Sequence, residues 1–361
     1  MENKIHRIVL TGGPCSGKTT AMVHINERLS SLGFNVYIVP EAASLLILGG
    51  IKLLEGDVFS KQLSLLKLQK QLEDSFILDA QRSDKPAIIL CDRGILDIKA
   101  FNTTETWNEL LIASGGSNVE FRDSRYEAVI HLVTTAIGAP EFYTLDNNAA
   151  RSESLQQAAI LDQKIQDSWV GHPHLRVVGN STNFQDKIRK VIALVANVVG
   201  VPEPIERERK FLVSGLNYDN TSSIHKECLD IEQTYLKNET GSARVRKRGQ
   251  HGHYTFTHTI KKKISNGKNI ELERMISEKE FNLLLETRDP ARNTIYKQRT
   301  CFVWNGQYFE LDYFVSPKKG LWLLEAEIES DDDQVVTPPF INIEKEVTDD
   351  DSYSNSEISK Y

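Results

Sequence analysis

Two groups of residues in this chain have the types and the spacing needed to handle phosphate. The first is Gly12-Gly13-Pro14-Cys15-Ser16-Gly17-Lys18-Thr19, which satisfies the pattern GxxxxGK[S/T]. The second begins with Glu206, Glu208 and Lys210, whose side chains share one face of a predicted strand because strand side chains alternate. The two patterns belong to unrelated chemistries, so the sequence predicts two separate phosphate sites.

The first pattern predicts a nucleotide-binding loop, because it directly follows a predicted strand and precedes a predicted helix. Glycines let backbone N–H groups wrap around a phosphate, and the helix N-terminus adds positive potential. Lys18 would reach the outer phosphates, and the Thr19 hydroxyl would bind Mg2+. The predicted nucleotide-binding residues are Gly12, Gly13, Pro14, Cys15, Ser16, Gly17, Lys18, Thr19 and Thr20.

Three further residues join Lys18 in the predicted catalytic set of the first half. Asp92 ends an apolar strand and is expected to face the bound Mg2+. Glu41 either positions or deprotonates an acceptor, or is an ordinary acid at a helix N-terminus. Arg151 is either a lid residue that neutralises a moving phosphoryl group or a surface arginine.

Charged residues alternate along the predicted strands of the second half in the same way. Apolar residues occupy the opposite faces of these strands, so both faces are expected to be covered. A closed barrel of about eight antiparallel strands with a charged interior satisfies both conditions. The charged sets after Lys210 are Arg244, Arg246 and Arg248; Thr259 and Lys261; Glu271 and Glu273; Lys297 and Arg299; Glu310 and Asp312; Glu325 and Glu327.

So many carboxylates in one lumen require cations to offset them. Oxygen-only acids in i, i+2 pairs suit Mg2+ or Mn2+, and no cluster of His and Cys indicates zinc. Arginine and lysine supply contacts to several phosphate oxygens. The lumen is therefore predicted to hold a polyphosphate together with a divalent metal.

The predicted fold is a P-loop parallel sheet covered by helices, followed by an antiparallel eight-stranded tunnel barrel. Asn266-Gly267 and Asn305-Gly306 predict hairpin turns, and Ser277 with Glu280 predicts a capping box for a helix over 277–288. Gly200 to Pro204 contains two prolines, so we expect domains over 1–200 and 205–361. The strands predicted in the first half are Arg7–Thr11, Asn35–Val39, Ala87–Asp92, Ala128–Val133 and Leu175–Gly179.

Composition excludes several classes of protein. A formal charge of -7, from 43 Lys and Arg against 50 Asp and Glu, argues against a nucleic-acid partner. The sequence shows neither a signal peptide nor a membrane-spanning apolar run, and its four cysteines form no CxxC pair. We therefore expect a cytoplasmic protein with reduced thiols, with peripheral association at membranes as an alternative.

The first half resembles the P-loop kinase-like domain of the NadR proteins, and Asp92-Arg93-Gly94 is similar to the matching step of nucleoside and nucleotide kinases. No [N/T]KxD segment of the kind that GTPases use to read guanine is present. The nucleotide is therefore ATP or GTP, with the choice left open.

The second half resembles the CYTH, or triphosphate tunnel metalloenzyme, family in the series ERERK, RVRKRG, TIK, ELE, KQR, ELD and EAE. The resemblance implies an eight-stranded tunnel that hydrolyses inorganic triphosphate or thiamine triphosphate, or cyclises ATP, with a divalent metal. It implies that Glu273 or Asp312 orients a water molecule, and that the C-terminal residues plug one mouth of the tunnel or form a loose tail. The metal-side acids would be Glu206, Glu208, Glu325 and Glu327, and the phosphate clamp Lys210, Arg244, Arg246, Lys261, Lys297 and Arg299.

The order of the two halves resembles the TRPL translocation defect protein fourteen family, which implies binding of a nucleotide and of phosphoinositide lipids. Two hypotheses follow. The first is an enzyme, a P-loop phosphotransferase or nucleotidase joined to a metal-dependent triphosphatase. The second is a regulatory protein that uses the P-loop as a switch and a basic surface at Lys261-Lys262-Lys263 to hold anionic headgroups.

Overall fold

The computed structural model describes residues 4–143, 154–202, 205–217, 224–237, 242–265, 268–328, 330 and 332–360, and for residues 205, 206, 263, 265, 268 and 269 it describes the backbone alone. The chain divides into two compact units, Met1–Val199 and Gly200–Tyr361. Among the described helices, none combines the length and the apolar character needed to cross a lipid bilayer.

The first unit contains a five-stranded sheet whose neighbouring strands are all parallel, in the order β2-β3-β1-β4-β5. Each strand predicted in this half is present, with ends that differ by two residues at most. The central strands are rich in buried β-branched and aliphatic residues, as expected for a sheet covered on both faces. The strands are β1 (Ile5–Thr11), β2 (Asn35–Val39), β3 (Ala87–Asp92), β4 (Ala128–Leu132) and β5 (Leu175–Val178).

Within the described residues of this unit, five α-helices lie between successive strands and a sixth follows β5. The predicted apolar stripe of the first helix is confirmed by the burial of Met22, Ile25 and Leu29. Four of the helices begin at a side chain that accepts a hydrogen bond from the first turn. The helices are α1 (Lys18–Ser30), α2 (Ala42–Leu48), α3 (Val58–Ala80), α4 (Thr104–Ser114), α5 (Leu155–Trp169) and α6 (Phe184–Val198).

The second unit is an antiparallel sheet of nine strands, eight of which form a closed ring. The ring closes because the first and fifth of its strands pair, through Glu206 and Asn269 among others. This confirms the predicted eight-stranded barrel. The strands are β6 (Ile205–Leu216), β7 (Lys226–Leu236), β8 (Ser242–Gln250), β9 (His253–Ser265), β10 (Lys268–Ile276), β11 (Ile295–Trp304), β12 (Gln307–Ser316), β13 (Trp322–Glu327) and the additional β14 (Ile341–Glu346), which pairs with β6.

Apolar residues cover the outside of the barrel at two places. One cluster joins Phe302, Phe309 and Phe340, and the first two rings stack with centroids 5.6 Å apart. In the other, Phe281 of α7 (Glu278–Leu285) packs on Val245 of β8. The outer faces of these strands are thus buried, which leaves the alternate, charged residues to point inward.

The predicted hairpin turn and the N-terminus of the predicted helix in this unit are both set by residues at those positions. Asn305 and Gly306 both have positive φ and join β11 directly to β12, which is the geometry of a type I′ turn. Ser277 caps α7 by accepting from the backbone N–H of Glu280, but the Glu280 carboxylate accepts from Arg274, so the predicted reciprocal capping box is only half formed. Asn266-Gly267 lies outside the described residues.

The C-terminal segment closes one end of the lumen. Ile358, in the short helix α8 (Asn355–Ile358), is buried in a cluster with Tyr235, Ile295, Phe314 and Leu323. Phe314 lies opposite Lys297 in the strand register, and Leu323 lies opposite Asp312, so these apolar side chains belong to the inward-facing rows. The segment therefore plugs the tunnel, and the alternative of a loose tail is wrong.

We expect Ile358→Ala to destabilise the barrel unit by about 2–5 kcal/mol, because it leaves a cavity in this plug. Leu283→Ala, at a position of α7 that is 56% exposed, is the control and is expected to change stability by no more than about 0.5 kcal/mol. Urea-induced unfolding, read by hydrogen exchange of the barrel strands, measures both. Equal stability of the two variants would contradict a packed plug.

Candidate functional site

The phosphate loop lies between β1 and α1, as its pattern predicts, and its glycines are required by the backbone. Gly12 has φ +139°, and a Cβ there would lie 2.0 Å from the carbonyl oxygen of Leu132. Gly17 has φ +93° and caps α1 at its N-terminus. Both positions need glycine, because L-residues with a side chain rarely adopt these conformations. The loop therefore places the N-terminus of α1 at the carboxyl edge of the sheet, where a phosphate can be bound.

Lys18 folds back over the loop. Its Nζ donates to the carbonyl oxygens of Gly12 at 3.0 Å and Gly13 at 3.4 Å, and to Ser16 Oγ at 3.4 Å. Burial, and then the nearby Arg93 guanidinium, lower the pKa of Lys18 to about 8 against the opposing effect of Asp92. Its neighbours Thr19 and Thr20 are exposed in the first turn of α1. The loop thus holds a lysine whose positive charge is only partly compensated.

Asp92 lies at the end of β3, directly beside Leu10 of β1, two residues before the loop. Burial raises the pKa of Asp92, and Lys18 opposes this rise. No described group hydrogen-bonds to the buried Oδ1 of Asp92. A buried carboxylate oxygen without a partner is costly, and a hard cation would satisfy it. The position and chemistry of Asp92 therefore fit the predicted Mg2+.

Glu41 and Arg93 form an ion pair next to this carboxylate. Arg93 Nε lies 2.5 Å from Glu41 Oε1, and Ser44 Oγ donates to Glu41 Oε2 at 2.6 Å. Burial alone raises the pKa of Glu41, but Arg93 outweighs it and holds the pKa below its usual value. Glu41 is the N-cap residue of α2, yet its side chain makes no capping hydrogen bond. Its carboxylate thus bridges Arg93 and the Ser44 hydroxyl in the first turn of α2, without capping a backbone N–H group. Arg151 lies outside the described residues.

Among the buried acids that sequence reasoning missed, Asp97 and Asp162 contact β1 and the phosphate loop. Asp97 accepts from Thr11 Oγ1, from the backbone N–H of Gly94 at 2.7 Å and from Trp169 Nε1 at 3.2 Å. It thereby holds the turn that follows Asp92. Asp162 of α5 accepts from the backbone N–H of Gly13 at 2.6 Å. An acid among apolar neighbours was the available signal for Asp97, whereas nothing in the local pattern marks Asp162.

The barrel lumen contains a dense network of ion pairs. Asp312 accepts two hydrogen bonds from Arg299, at 2.7 Å each, and pairs with Lys297. Arg299 also pairs with Glu310 and, at 2.8 Å, with Glu325. Burial alone raises the pKa of Asp312, but Arg299 and Lys297 hold it below its usual value. The predicted lumen residues of β11, β12 and β13 therefore meet, and here their charges compensate one another.

The opposite wall of the lumen is richer in cations. Arg244 Nη2 and Lys261 Nζ each lie 3.0 Å from Glu271, and Glu273 accepts from Thr259 Oγ1 at 2.6 Å. Arg246 donates to the neutral amide oxygen of Gln233 at 3.3 Å from two of its nitrogens. Burial and then Arg244 lower the pKa of Arg246. This wall therefore carries positive charge that a bound anion would compensate.

The predicted metal-side acids lie on β6 and β13. Glu208 and Glu327 are direct register partners, which places two like charges opposite each other. Lys210 bridges Glu208, at 3.4 Å, and Glu325, at 2.9 Å. Among the residues whose side chains the structure describes, no three acids, His or Cys gather as a metal site; the side chain of Glu206 is outside that set. The facing pair of carboxylates fits a hard divalent cation.

The predicted basic surface at Lys261-Lys262-Lys263 is wrong as a continuous patch. Lys261 points inward and pairs with Glu271, whereas Lys262 is exposed. The physical reason is strand alternation, which sends neighbouring side chains to opposite faces of β9. The side chain of Lys263 lies outside the described set.

A family described as an AAA domain matches residues 7–187, half of the chain. The chain belongs to this AAA domain family. It is also 30% identical over 158 residues to an inorganic triphosphatase of Nitrosomonas europaea, covering 43% of this chain and 96% of that protein, and so belongs to the family of that triphosphatase as well.

The chain is also similar to solved protein structures, including those of two proteins. The crystal structure of the inorganic triphosphatase NE1496 is 29% identical, with a TM-score of 0.30 over 43% of this chain and 93% of that one. The PH1012 protein of Pyrococcus horikoshii is 21% identical, with a TM-score of 0.28 over 35% of this chain and 80% of that one.

The pKa of Lys18 predicts the pH dependence of nucleotide binding by the AAA domain. Phosphate favours the charged lysine, whose pKa in the free protein is about 8. Affinity is therefore expected to be constant well below pH 8 and to fall above it, by at most about tenfold per pH unit. Titration of a fluorescent nucleoside triphosphate from pH 6 to pH 10 measures this. In Lys18→Arg, whose side chain stays protonated over this range, a fall of the same size would contradict the assignment.

Proposed function

We propose that the barrel unit is a divalent-metal-dependent triphosphatase and that the AAA domain binds a nucleoside triphosphate, ATP or GTP. The observation that supports the first part is the lumen, where a cation-rich wall faces carboxylates on β6 and β13. The match to the relative named an inorganic triphosphatase spans 96% of that protein, and its 158 residues are close in number to those of the barrel unit, Gly200–Tyr361. Inorganic triphosphate is accordingly the substrate to test first.

Arg244, Arg246 and Lys261 bind the phosphate chain in this proposal. Arg246 is the central one, because its hydrogen-bond partner is the neutral Gln233 and its charge is left for the ligand. Arg244 and Lys261 both pair with Glu271, whereas Lys210, Lys297 and Arg299 pair with four carboxylates among them. The second set therefore stabilises the arrangement of the lumen and contributes less to the net attraction of an anion. A guanidinium held in place before binding adds affinity, since little side-chain entropy is lost.

Glu208 and Glu327, with Glu206 two residues before Glu208 on β6, would hold the metal. A divalent cation bound there supplies charge neutralisation at a phosphoryl oxygen and lowers the pKa of a water molecule. Of the two acids predicted to orient water, Glu273 is the better candidate, because its described hydrogen-bond donor is the neutral hydroxyl of Thr259. Asp312 is fully buried by Arg299 and Lys297 and orients these cations instead.

In the AAA domain, Lys18 and the loop N–H groups hold the outer phosphates and Asp92 faces the metal. Glu41 and Arg93 form a charged pair at the same edge of the sheet, where a phosphoryl acceptor can be oriented. Glu41 acts as the base and Arg93, whose Nη1 has no described hydrogen-bond partner, contacts the acceptor or the transferred phosphoryl group. A P-loop phosphotransferase is the reaction class that this arrangement supports.

Phosphate release from inorganic triphosphate with Mg2+ or Mn2+ tests the barrel assignment. Glu208→Gln/Glu327→Gln is expected to lose activity by roughly a hundredfold or more, because the metal-side charge is removed. Lys18→Ala is expected to retain it, because Lys18 belongs to the other unit. The reverse pattern would assign the hydrolysis to the AAA domain.

Removal of divalent metal by a chelator is expected to abolish release from the wild-type protein, and Mg2+ or Mn2+ to restore it. Release that persists in the chelator would contradict the proposed metal dependence. The absence of any release with either metal would leave an anion-binding barrel and overturn the triphosphatase.

A further inference from the structure

A buried cluster of ionisable side chains lies next to the phosphate loop and takes no part in the chemistry proposed above. It consists of Asp162 on α5, His131 at the end of β4 and Lys187 on α6, which are 2%, 0% and 2% exposed. Such groups are costly to bury unless each has a partner. Their partners therefore show what the cluster holds together.

The Asp162 carboxylate contacts three parts of the fold. Its Oδ1 accepts from the backbone N–H of Gly13 at 2.6 Å and from that of Thr134 at 3.1 Å. Its Oδ2 lies 3.1 Å from His131 Nε2. One side chain of α5 thus joins the phosphate loop to the end of β4.

The contact with the loop is close enough to require glycine. A Cβ on Gly13 would lie 2.8 Å from Asp162 Oδ1 and 2.9 Å from its Cβ. The next loop residues are held from the same side, because Thr134 Oγ1 donates to the carbonyl oxygen of Pro14 and the N–H of Thr135 donates to that of Cys15 at 3.4 Å. The first half of the loop is therefore fixed by α5 and β4.

The charges of Asp162 and Lys187 attract each other, and burial opposes both charges. Burial alone raises the pKa of Asp162, but His131 and the two N–H groups outweigh it and keep the carboxylate ionised. Burial lowers the pKa of Lys187 to about 8, and Asp162 opposes this effect. Lys187 Nζ also donates to the carbonyl oxygen of Val133 at 2.7 Å and to Asn180 Oδ1 at 2.8 Å.

We propose that Asp162 is a positioning residue for nucleotide binding, which holds the phosphate loop in its binding shape through Gly13. Phosphate affinity requires the N–H groups that follow Gly13 to point at one spot, and this arrangement depends on where the loop begins. Without the carboxylate, the Gly13 N–H is buried with a weaker partner and the loop can shift. The inference rests on the proposed nucleotide binding by the AAA domain.

Asp162→Asn tests the inference, because asparagine keeps the size and one acceptor oxygen but removes the charge between His131 and Lys187. We expect the Kd for a fluorescent nucleoside triphosphate with Mg2+ to rise roughly tenfold or more. The full chain is used, at a temperature where circular dichroism shows every variant to be folded. Lys18→Ala reports any binding that does not involve the loop.

Asp123→Asn is the matched control. Asp123 is also a buried aspartate, 5% exposed, and it accepts from Arg122 Nε at 2.6 Å. It precedes β4 and so lies at the amino ends of the parallel strands, whereas the loop follows β1 at their carboxyl ends. This variant is expected to lose stability as well, with an unchanged Kd.

An unchanged Kd in Asp162→Asn, or an equal loss in Asp123→Asn, would overturn the inference while the wild-type protein still binds nucleotide. If the wild-type protein binds none, the proposed function fails and the inference falls with it. If Asp162→Asn does not fold, the nucleotide Kd of His131→Leu and of His131→Gln tests the inference instead. Weaker binding in the leucine variant, restored by glutamine, which can donate to Asp162, supports the positioning role, and equal binding in both overturns it.

Discussion

Compensation of buried charge is the constraint on which both units of this protein depend. Burying an ion costs several kcal/mol unless partners replace its water. In the barrel, the cost is offset between strands: Asp312 of β12 is shared by Arg299 and Lys297 of β11, and Arg299 also reaches Glu310 of β12 and Glu325 of β13. A shift of register by one residue would send these side chains to the outer face. The ion pairs and the outer apolar clusters thus specify the same register.

The AAA domain meets the same constraint with backbone groups. Asp97 accepts from hydroxyl and N–H donors of β1 and of the turn after β3, and Asp162 accepts from the N–H groups of Gly13 and Thr134 and contacts His131. Lys18, a cation that remains only partly compensated, lies at the carboxyl edge of the sheet, where ligands of α/β proteins bind. In both units, the charge that the protein does not neutralise itself marks the place where phosphate would bind.

Several features could be predicted because they depend on local chemistry. The loop from Gly12 to Thr19 needs only its own glycines and the strand and helix beside it. Asn305-Gly306 forms a tight hairpin because both residues tolerate positive φ. The predicted hydrogen bond from the Ser277 backbone to Glu280 at α7 is absent, because it depends on a contact outside the helix: Arg274 of β10 binds the Glu280 carboxylate instead. Asp162 was missed because its partner Gly13 is distant in sequence.

The sequence by itself determined which side chains share a face, because alternation along a strand and the phosphate-loop pattern are properties of neighbouring residues. It therefore determined the barrel with a charged lumen and the loop that precedes α1. Only the tertiary structure decided which charges neutralise each other and which are left over. Arg246 faces a neutral amide whereas Arg299 faces three carboxylates, although both come from alternating basic strands. The difference arises from strand pairing, because Arg246 lies opposite Gln233 of β7 whereas Arg299 lies opposite Asp312 of β12, and alternation within one strand does not specify its partner strand.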